Sequence, residues 1–240
     1  SKEINHPNGS ALNKRVIKSL KKTKFIIANS NFTKNLGIRI GLPKEKIHVI
    51  HPGCDETINI DSELQRQAEE IFENSFPKIL TVARLEKRKN HQNILMCIRN
   101  LKEKFPKLKY VSIGDGEEKN KLKILTKELK IENQVVFLEK TNQKLKSALI
   151  KNSELFLMPS IISKKSVEGF GISFIEAASY GVGSIGGKDG GASDAIDHLK
   201  TGLICDGENI NSIYENIIKF FENDNYKKYG TNALNFSENF

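Results

Sequence analysis

The sequence predicts an α/β protein built on a doubly wound, Rossmann-like parallel sheet. From about residue 78 onward, short apolar runs alternate with longer amphipathic segments. The glycines and charges collect in the loops that follow those runs, at 84–90, 114–116 and 168–171. Strand then helix, repeated, implies parallel strands with crossover helices, and such sheets bind ligands at the carboxyl ends of their strands.

Each element has a sequence basis. The runs 79–82, 110–113, 135–138, 155–158 and, more weakly, 182–185 are rich in β-branched or aromatic residues, as strands buried on both faces are. Helices are expected at 91–104, 117–130, 142–151, 173–180 and 210–222. Ahead of them come a basic amphipathic helix over 11–22 and strands over 25–28 and 47–50. The breaker His51-Pro52-Gly53 then starts a linker near 52–60. These early elements are too few to close a core. The expected division is therefore 1–53 as the tail of a preceding domain plus hinge, and 54–240 as the Rossmann-like domain. The polar start without Met suggests a piece of something longer.

Composition is that of a soluble globular protein: 38% hydrophobic and 28% charged, with no run long enough to span a membrane. The three cysteines have neither metal-ligand nor framework spacing, so reduced thiols are expected. The net charge of +9 is local: residues 1–50 hold eleven Lys/Arg against two Asp/Glu, and the remainder is balanced. Lysine far outnumbers arginine and no aromatics interleave the basic segment, which argues against nucleic acid as a partner.

Four segments could carry chemistry. Gly114-Asp-Gly116 follows a strand and opens a helix, but lacks the third glycine of a dinucleotide fingerprint; Asp115 with Glu118 also reads as a capping box. The loop 84–90 packs four cations after a strand, either as a solvated loop or to neutralise a diphosphate. In 168–176 a carboxylate sits in a glycine-rich turn that becomes a helix, and a second follows eight residues later. Glycines there admit close backbone approach, and a helix N-terminus offers amides to an anion. A capping box of Ser173 with Glu176 would account for the second carboxylate but not for Glu168. A further glycine-rich turn spans 186–194.

In order and spacing, these segments resemble the GT-B glycosyltransferases of family 4. The matching stretches are Val82-Ala-Arg-Leu85 with Lys89, Ile113-Gly-Asp-Gly116, 135–138, Leu155-Phe-Leu-Met-Pro-Ser160, 168–176, Gly190-Gly191 with Asp194, and Thr201-Gly-Leu203. Val49-Ile-His-Pro-Gly-Cys-Asp55 looks like the family's interdomain hinge and Ala28-Asn-Ser30 like the last strand region of the acceptor domain. The resemblance implies the C-terminal, donor-binding half of a GT-B fold with a fragment of the N-terminal half. It implies roles too. Arg84 and Lys89 bind the donor diphosphate, Glu168 contacts the sugar, and the amides of Gly169, Phe170, Gly171 and Ile172 line sugar and phosphate. Glu176 holds the ribose, Gly114 lies in the phosphate loop, and the backbone around Leu138 lies near the base.

Enzymes of this kind retain anomeric configuration and need no metal or other cofactor, the donor being an NDP-sugar, UDP- or GDP-linked. No DxD-like triplet is present. The chain departs from the family at Asn90, where Gly is frequent, at Asp194, where Glu is usual, and at Gly183, where Pro is frequent. None of His6, His48, His51, His91 or His198 matches the family's catalytic histidine, so the chain alone is expected to be incomplete for turnover. A glycan or lipid-linked acceptor is expected, in the cytoplasm or at the inner membrane face. Residues 11–22 either form a surface helix or contact an anionic membrane. Two alternatives stay open: a GT-B sugar-nucleotide epimerase, and a non-catalytic nucleotide-sugar-binding subunit.

Overall fold

The computed structural model of the chain describes residues 10–240; His6 and the rest of 1–9, part of the expected 1–53 segment, lie outside the described residues. Chain order runs α1 (Ala11–Lys21), β1 (Ile26–Ala28), α2 (Asn31–Arg39), β2 (Ile47–Val49), α3 (Ser62–Phe72), β3 (Lys78–Val82) and α4 (His91–Leu101). It continues with β4 (Lys109–Ile113), α5 (Lys119–Glu128), β5 (Val135–Leu138), α6 (Gln143–Lys151), β6 (Leu155–Met158) and α7 (Ile172–Ser179). Last come β7 (Ser184–Gly187), α8 (Ala192–Ala195), β8 (Gly202–Cys205), α9 (Ile210–Phe221) and α10 (Asn225–Ser237).

Six strands form one parallel sheet in the order β5-β4-β3-β6-β7-β8, the doubly wound Rossmann-like arrangement the sequence predicts. The strand order reverses between β3 and β6, so the crevice beyond their carboxyl ends is the topological switch point where such sheets take ligands. Alternation explains the continuous apolar runs. Ile79, Tyr110, Leu155 and Leu157 face one core with α4, α5 and α9. Leu80, Val111, Phe156 and Met158 face the other with α3, α6, α7 and α8. Because helices cover both faces, a strand needs apolar residues at every position.

Residues 26–49 form a separate two-stranded parallel sheet, β1 with β2, around a small core of Ala28, Leu42 and Ile47. On α1 the packed residues are Ile17 and Leu20, which lie three apart on one face. Leu12, at the start of the same helix, stays exposed. Residues 51–61 carry no helix or strand.

Four elements were not expected: α2, α3, β8 and α10. In α3 only Leu64, Ala68 and Phe72 are buried, a stripe thinned by polar residues, and Asp61 caps it by accepting from the Leu64 amide at 2.9 Å. Strand β8 opens on Gly202, where a Cβ would lie 2.0 Å from the Ser184 carbonyl oxygen. Both capping boxes fail. Helix α5 starts only at Lys119, with Glu118 as its N-cap and Asp115 Oδ1 turned back to the Gly116 amide at 2.9 Å. Helix α7 is capped by Gly171 in the left-handed region, so Ser173 is already inside the helix and Glu176 lies one turn in. Among the described residues the cysteines are free, no His/Cys/Asp/Glu group could hold a metal, and no helix is long and apolar enough to cross a membrane.

Candidate functional site

The site assembles at the switch point from the loops after β3 and β6. After Val82 the chain runs through Arg84 into a single 3-10 turn, Lys87–Lys89, and then enters α4. Asn90 makes that junction. Its φ of 63° is left-handed, and its buried side-chain amide donates to the carbonyls of Pro159 (3.0 Å) and Gly207 (2.7 Å). Asn tolerates this backbone conformation better than most residues. It therefore does here what a glycine can do for the backbone, and adds two bonds that clamp the β3 loop to the loops after β6 and β8.

That clamp aims Arg88 and Lys89 at Glu168. Arg88 Nη1 lies 2.8 Å from Glu168 Oε2, and the Lys89 ammonium donates to the same oxygen; the three side chains are only 11–12% exposed. Burial opposes ionisation of Glu168, but the charges and hydrogen bonds of Lys89 and Arg88 outweigh it and hold the carboxyl below its usual range. Burial likewise pushes the Lys89 ammonium below the ordinary lysine value, against the pull of Glu168. Glu86, 3.5 Å from Arg88, adds a second carboxylate at the edge of the group, and burial strengthens each of these charge interactions.

Beneath it lies a neutral polar layer. His91 Nδ1 is 3.1 Å from the Tyr110 hydroxyl, which donates at 3.0 Å to Thr81; Thr81 in turn donates to the Leu157 carbonyl. Burial first, and then the charge of Lys89, depress the His91 pKa to about 4. Thr81, a fully buried polar residue in the first core strand, is thus where the network crosses from β3 to β6.

The remaining sequence-assigned residues fall as follows. The amides of Phe170, Gly171 and Ile172 find no acceptor among the described residues. They sit where the Glu168 turn enters α7, the positive end of its dipole. Glu176, on α7, is not free: Lys146 of α6 donates to its Oε1 at 2.7 Å. Gly114, at φ 148°, could carry no Cβ, which would fall 2.0 Å from the Ala83 carbonyl oxygen. Its glycine identity thus follows from backbone packing. Its amide donates to the Leu138 carbonyl at 2.8 Å, so that carbonyl is already engaged.

Arg84 stands apart from the group. Its side chain is 70% exposed, 2.9 Å from Glu86, on the wall of an open cleft of ≈ 1050 Å³ also lined by Lys87, Arg88, Gly116 and Lys164. Sequence reasoning named Arg84 and Lys89 and missed Arg88. The available signal was the crowding of four cations in one loop, which requires a nearby carboxylate if two of them are to be buried.

The family described as glycosyl transferases group 1 matches residues 61–236. The chain is 28% identical over 227 residues to an uncharacterized glycosyltransferase of Methanocaldococcus jannaschii, covering 92% of this chain and 55% of that protein. It is 27% identical over 139 residues to the GDP-mannose-dependent alpha-(1-6)-phosphatidylinositol monomannoside mannosyltransferase of Mycobacterium tuberculosis, covering 57% of this chain and 36% of that one. The crystal structure of Anabaena HepE in complex with UDP-glucose has the same fold, with a TM-score of 0.84 at 20% identity, over 99% of this chain and 66% of that one. The chain spans about half the length of the first of these relatives. Its match to the family over most of its length, with the cation–carboxylate group inside the matched region, establishes that this chain belongs to the glycosyl transferases group 1 family.

Proposed function

We propose that the chain supplies the donor site of a retaining, family 4 type glycosyltransferase, which moves a sugar from a nucleoside-diphosphate sugar to a glycan or lipid-linked acceptor. One arrangement carries this reading: two buried cations and Glu168 stand at the switch point beside the unanswered amides that open α7. A diphosphate suits such a place, because helix-opening amides and cations both attract phosphate oxygens.

The division of labour follows from the geometry. Lys89, with Arg84 from the cleft wall, counters the charge that builds on the departing nucleoside diphosphate, and does so without a metal, while Arg88 stays paired to Glu168. Preorganised charge of this kind contributes on the order of 10²–10³ in rate per group. Glu168 can accept from a sugar hydroxyl near the reacting carbon while its other contacts hold it in place. Glu176 holds the ribose hydroxyls, sharing its carboxylate with Lys146. Residues up to 53 belong to the acceptor-binding half. UDP and GDP are the expected nucleotides, since UDP-glucose is bound by the HepE crystal and GDP-mannose is named for the mycobacterial relative.

Calorimetric titration with UDP, GDP and ADP, without metal, tests this on the chain itself and on its Lys89→Ala and Glu176→Ala variants. Binding of one diphosphate, weakened at least tenfold by each substitution (about 1.4 kcal/mol), is the expected result. A folded chain that binds none of the three removes the reading. The lysines of α1 invite a separate test: preference for anionic over neutral liposomes would place the enzyme at a membrane face.

A further inference from the structure

The Glu168 turn is also held by residues outside the Arg88–Lys89 group. The Glu168 carbonyl accepts from the Gly191 amide at 3.0 Å, and the Gly169 carbonyl accepts from the Ser30 hydroxyl at 2.6 Å. The His51 ring stacks on the Phe170 ring, with centroids 5.3 Å apart and planes 18° apart. Each of the three residues 168–170 therefore has its own fixed partner.

Those partners converge on Asp194. Its Oδ2 accepts from His51 Nε2 at 2.9 Å, from the Asn31 amide at 2.7 Å and from Asn31 Nδ2 at 2.8 Å, and its side chain is only 6% exposed. Asn31 follows Ser30 at the start of α2, and Asp194 follows Gly191 by three residues in α8. One carboxylate oxygen thus ties together the turn after β1, the hinge histidine and the helix beside the Gly190-Gly191 loop. The loop itself leaves no slack: a Cβ on Gly191 would lie 2.1 Å from the Gly169 carbonyl oxygen.

We propose that Asp194 and His51 are positioning residues for the Glu168 turn. In a planar peptide the carbonyl and the following N–H point opposite ways. With the Glu168 and Gly169 carbonyls held by Gly191 and Ser30, the amides of Gly169 and Phe170 face away from the latch. Asp194 sets where Ser30 and His51 stand, and His51 sets the Phe170 ring. The latch also binds residues before the hinge to residues after it, so the orientation of the preceding segment is transmitted to the turn through one hydrogen-bonded oxygen. Its effect on a donor rests on the functional reading above; its effect on the turn does not.

The experiment uses the full chain and its Asp194→Ala, Asp194→Glu and His51→Ala variants. Amide hydrogen exchange without ligand is the first readout: the Ala variants should speed exchange of the Gly191 and Phe174 amides, which donate to the Glu168 and Gly171 carbonyls of the turn, by about tenfold, with β3 and β4 amides unchanged. Asp194→Glu, which keeps the carboxylate, should restore most of the protection. Affinity for UDP against UDP-glucose, and for GDP against GDP-mannose, is the second. A loosened turn should cost the sugar nucleotide more than the free nucleotide, because Glu168 meets only the sugar. Unchanged exchange of the Gly191 and Phe174 amides, or equal acceleration throughout the sheet, overturns the proposal. Failure of the wild-type chain to bind any nucleotide sinks the functional reading alone, since the exchange readout still decides this one.

Discussion

Glu168 accepts a 2.8 Å hydrogen bond from Arg88 Nη1 through an oxygen that it also presents to Lys89. One carboxylate thus holds two cations that a diphosphate would otherwise attract, and this competition leads to a prediction with two signs. Glu168→Gln removes the carboxylate that both buried cations share and leaves Glu86, 3.5 Å from Arg88, as the remaining countercharge, which should destabilise the unliganded chain by about 2–4 kcal/mol. The same change frees them for an incoming anion, so UDP or GDP should bind roughly three- to tenfold more tightly, about 1 kcal/mol. Denaturant melts paired with calorimetry check both. Reduced affinity for the free nucleotide would show that Glu168 orders the cations rather than competing for them. The pH dependence has a fixed direction: the Glu168 carboxyl lies below its ordinary 4.5, so its stabilisation is in place above that value and is lost as pH falls through the folded pKa.

His91 provides a second pH signature. Its folded pKa of about 4 lies below the ordinary 6.5 because burial, and then Lys89, disfavour the imidazolium. The unfolded chain therefore binds a proton that the folded chain refuses, and stability falls as pH drops from 6.5 toward 4. The loss by pH 4 should be about 3 kcal/mol. His91→Gln removes the titration and should flatten the slope between pH 7 and 4, whatever its stability at pH 7. Equal slopes for the two proteins would place the acid sensitivity elsewhere.

Asn90 separates a backbone requirement from a side-chain one. Glycine accepts φ of 63° freely but cannot reach Pro159 or Gly207; alanine does neither. The expected order of stability is wild type, then Asn90→Gly at a cost of about 2 kcal/mol for two lost buried bonds, then Asn90→Ala at a further 1 kcal/mol or so for the left-handed backbone. Unfolding midpoints of the three proteins give the order directly. Alanine above glycine would mean that the loop changes conformation when the clamp is removed.

What could be read from the sequence, and what could not, follows from how local each signal is. Strands β3 to β6 were visible because both faces of the sheet are covered, which forces continuous apolar runs such as Leu155-Phe-Leu-Met158. Strand β8 was missed because it opens on Gly202, a residue chosen by the Ser184 backbone opposite it and not by strand propensity. Helix α3 was missed because three buried residues among eleven leave little periodicity. At the site, Glu168 and Lys89 were legible as part of motifs in fixed order. Ser30, Asn31, His51 and Asp194 were assigned no role in holding the turn, because the hydrogen bonds that join them to it and to each other across the fold span 139 or more residues, beyond any local pattern, as the Asn31–Asp194 separation of 163 illustrates. The Ser173–Glu176 capping box failed for the opposite reason. Ser-x-x-Glu is a local signal, and a glycine at φ 94° starting the helix earlier overrode it.

Arg84 and Arg88 test whether sequence assignment or burial better identifies the cation that matters. Arg88 is 11% exposed and hydrogen-bonded to Glu168, whereas Arg84 is 70% exposed and meets only Glu86. Truncating a buried partner leaves a carboxylate short of charge, so Arg88→Ala should cost about 2–3 kcal/mol of stability. Truncating an exposed one costs little, within about 0.5 kcal/mol for Arg84→Ala. Nucleotide affinity should divide the other way. Arg84 is mobile enough to swing onto an anion entering the cleft, and its loss should weaken UDP or GDP binding by about tenfold, or 1.4 kcal/mol. Arg88 is already committed, and its guanidinium would have to leave Glu168 to reach a phosphate, so its loss should weaken binding less than threefold once stability is matched. Parallel calorimetry and denaturant melts on the two variants give all four numbers. If Arg88→Ala proves the more damaging to binding, the anion sits deeper than the cleft wall and displaces Glu168 from its cations.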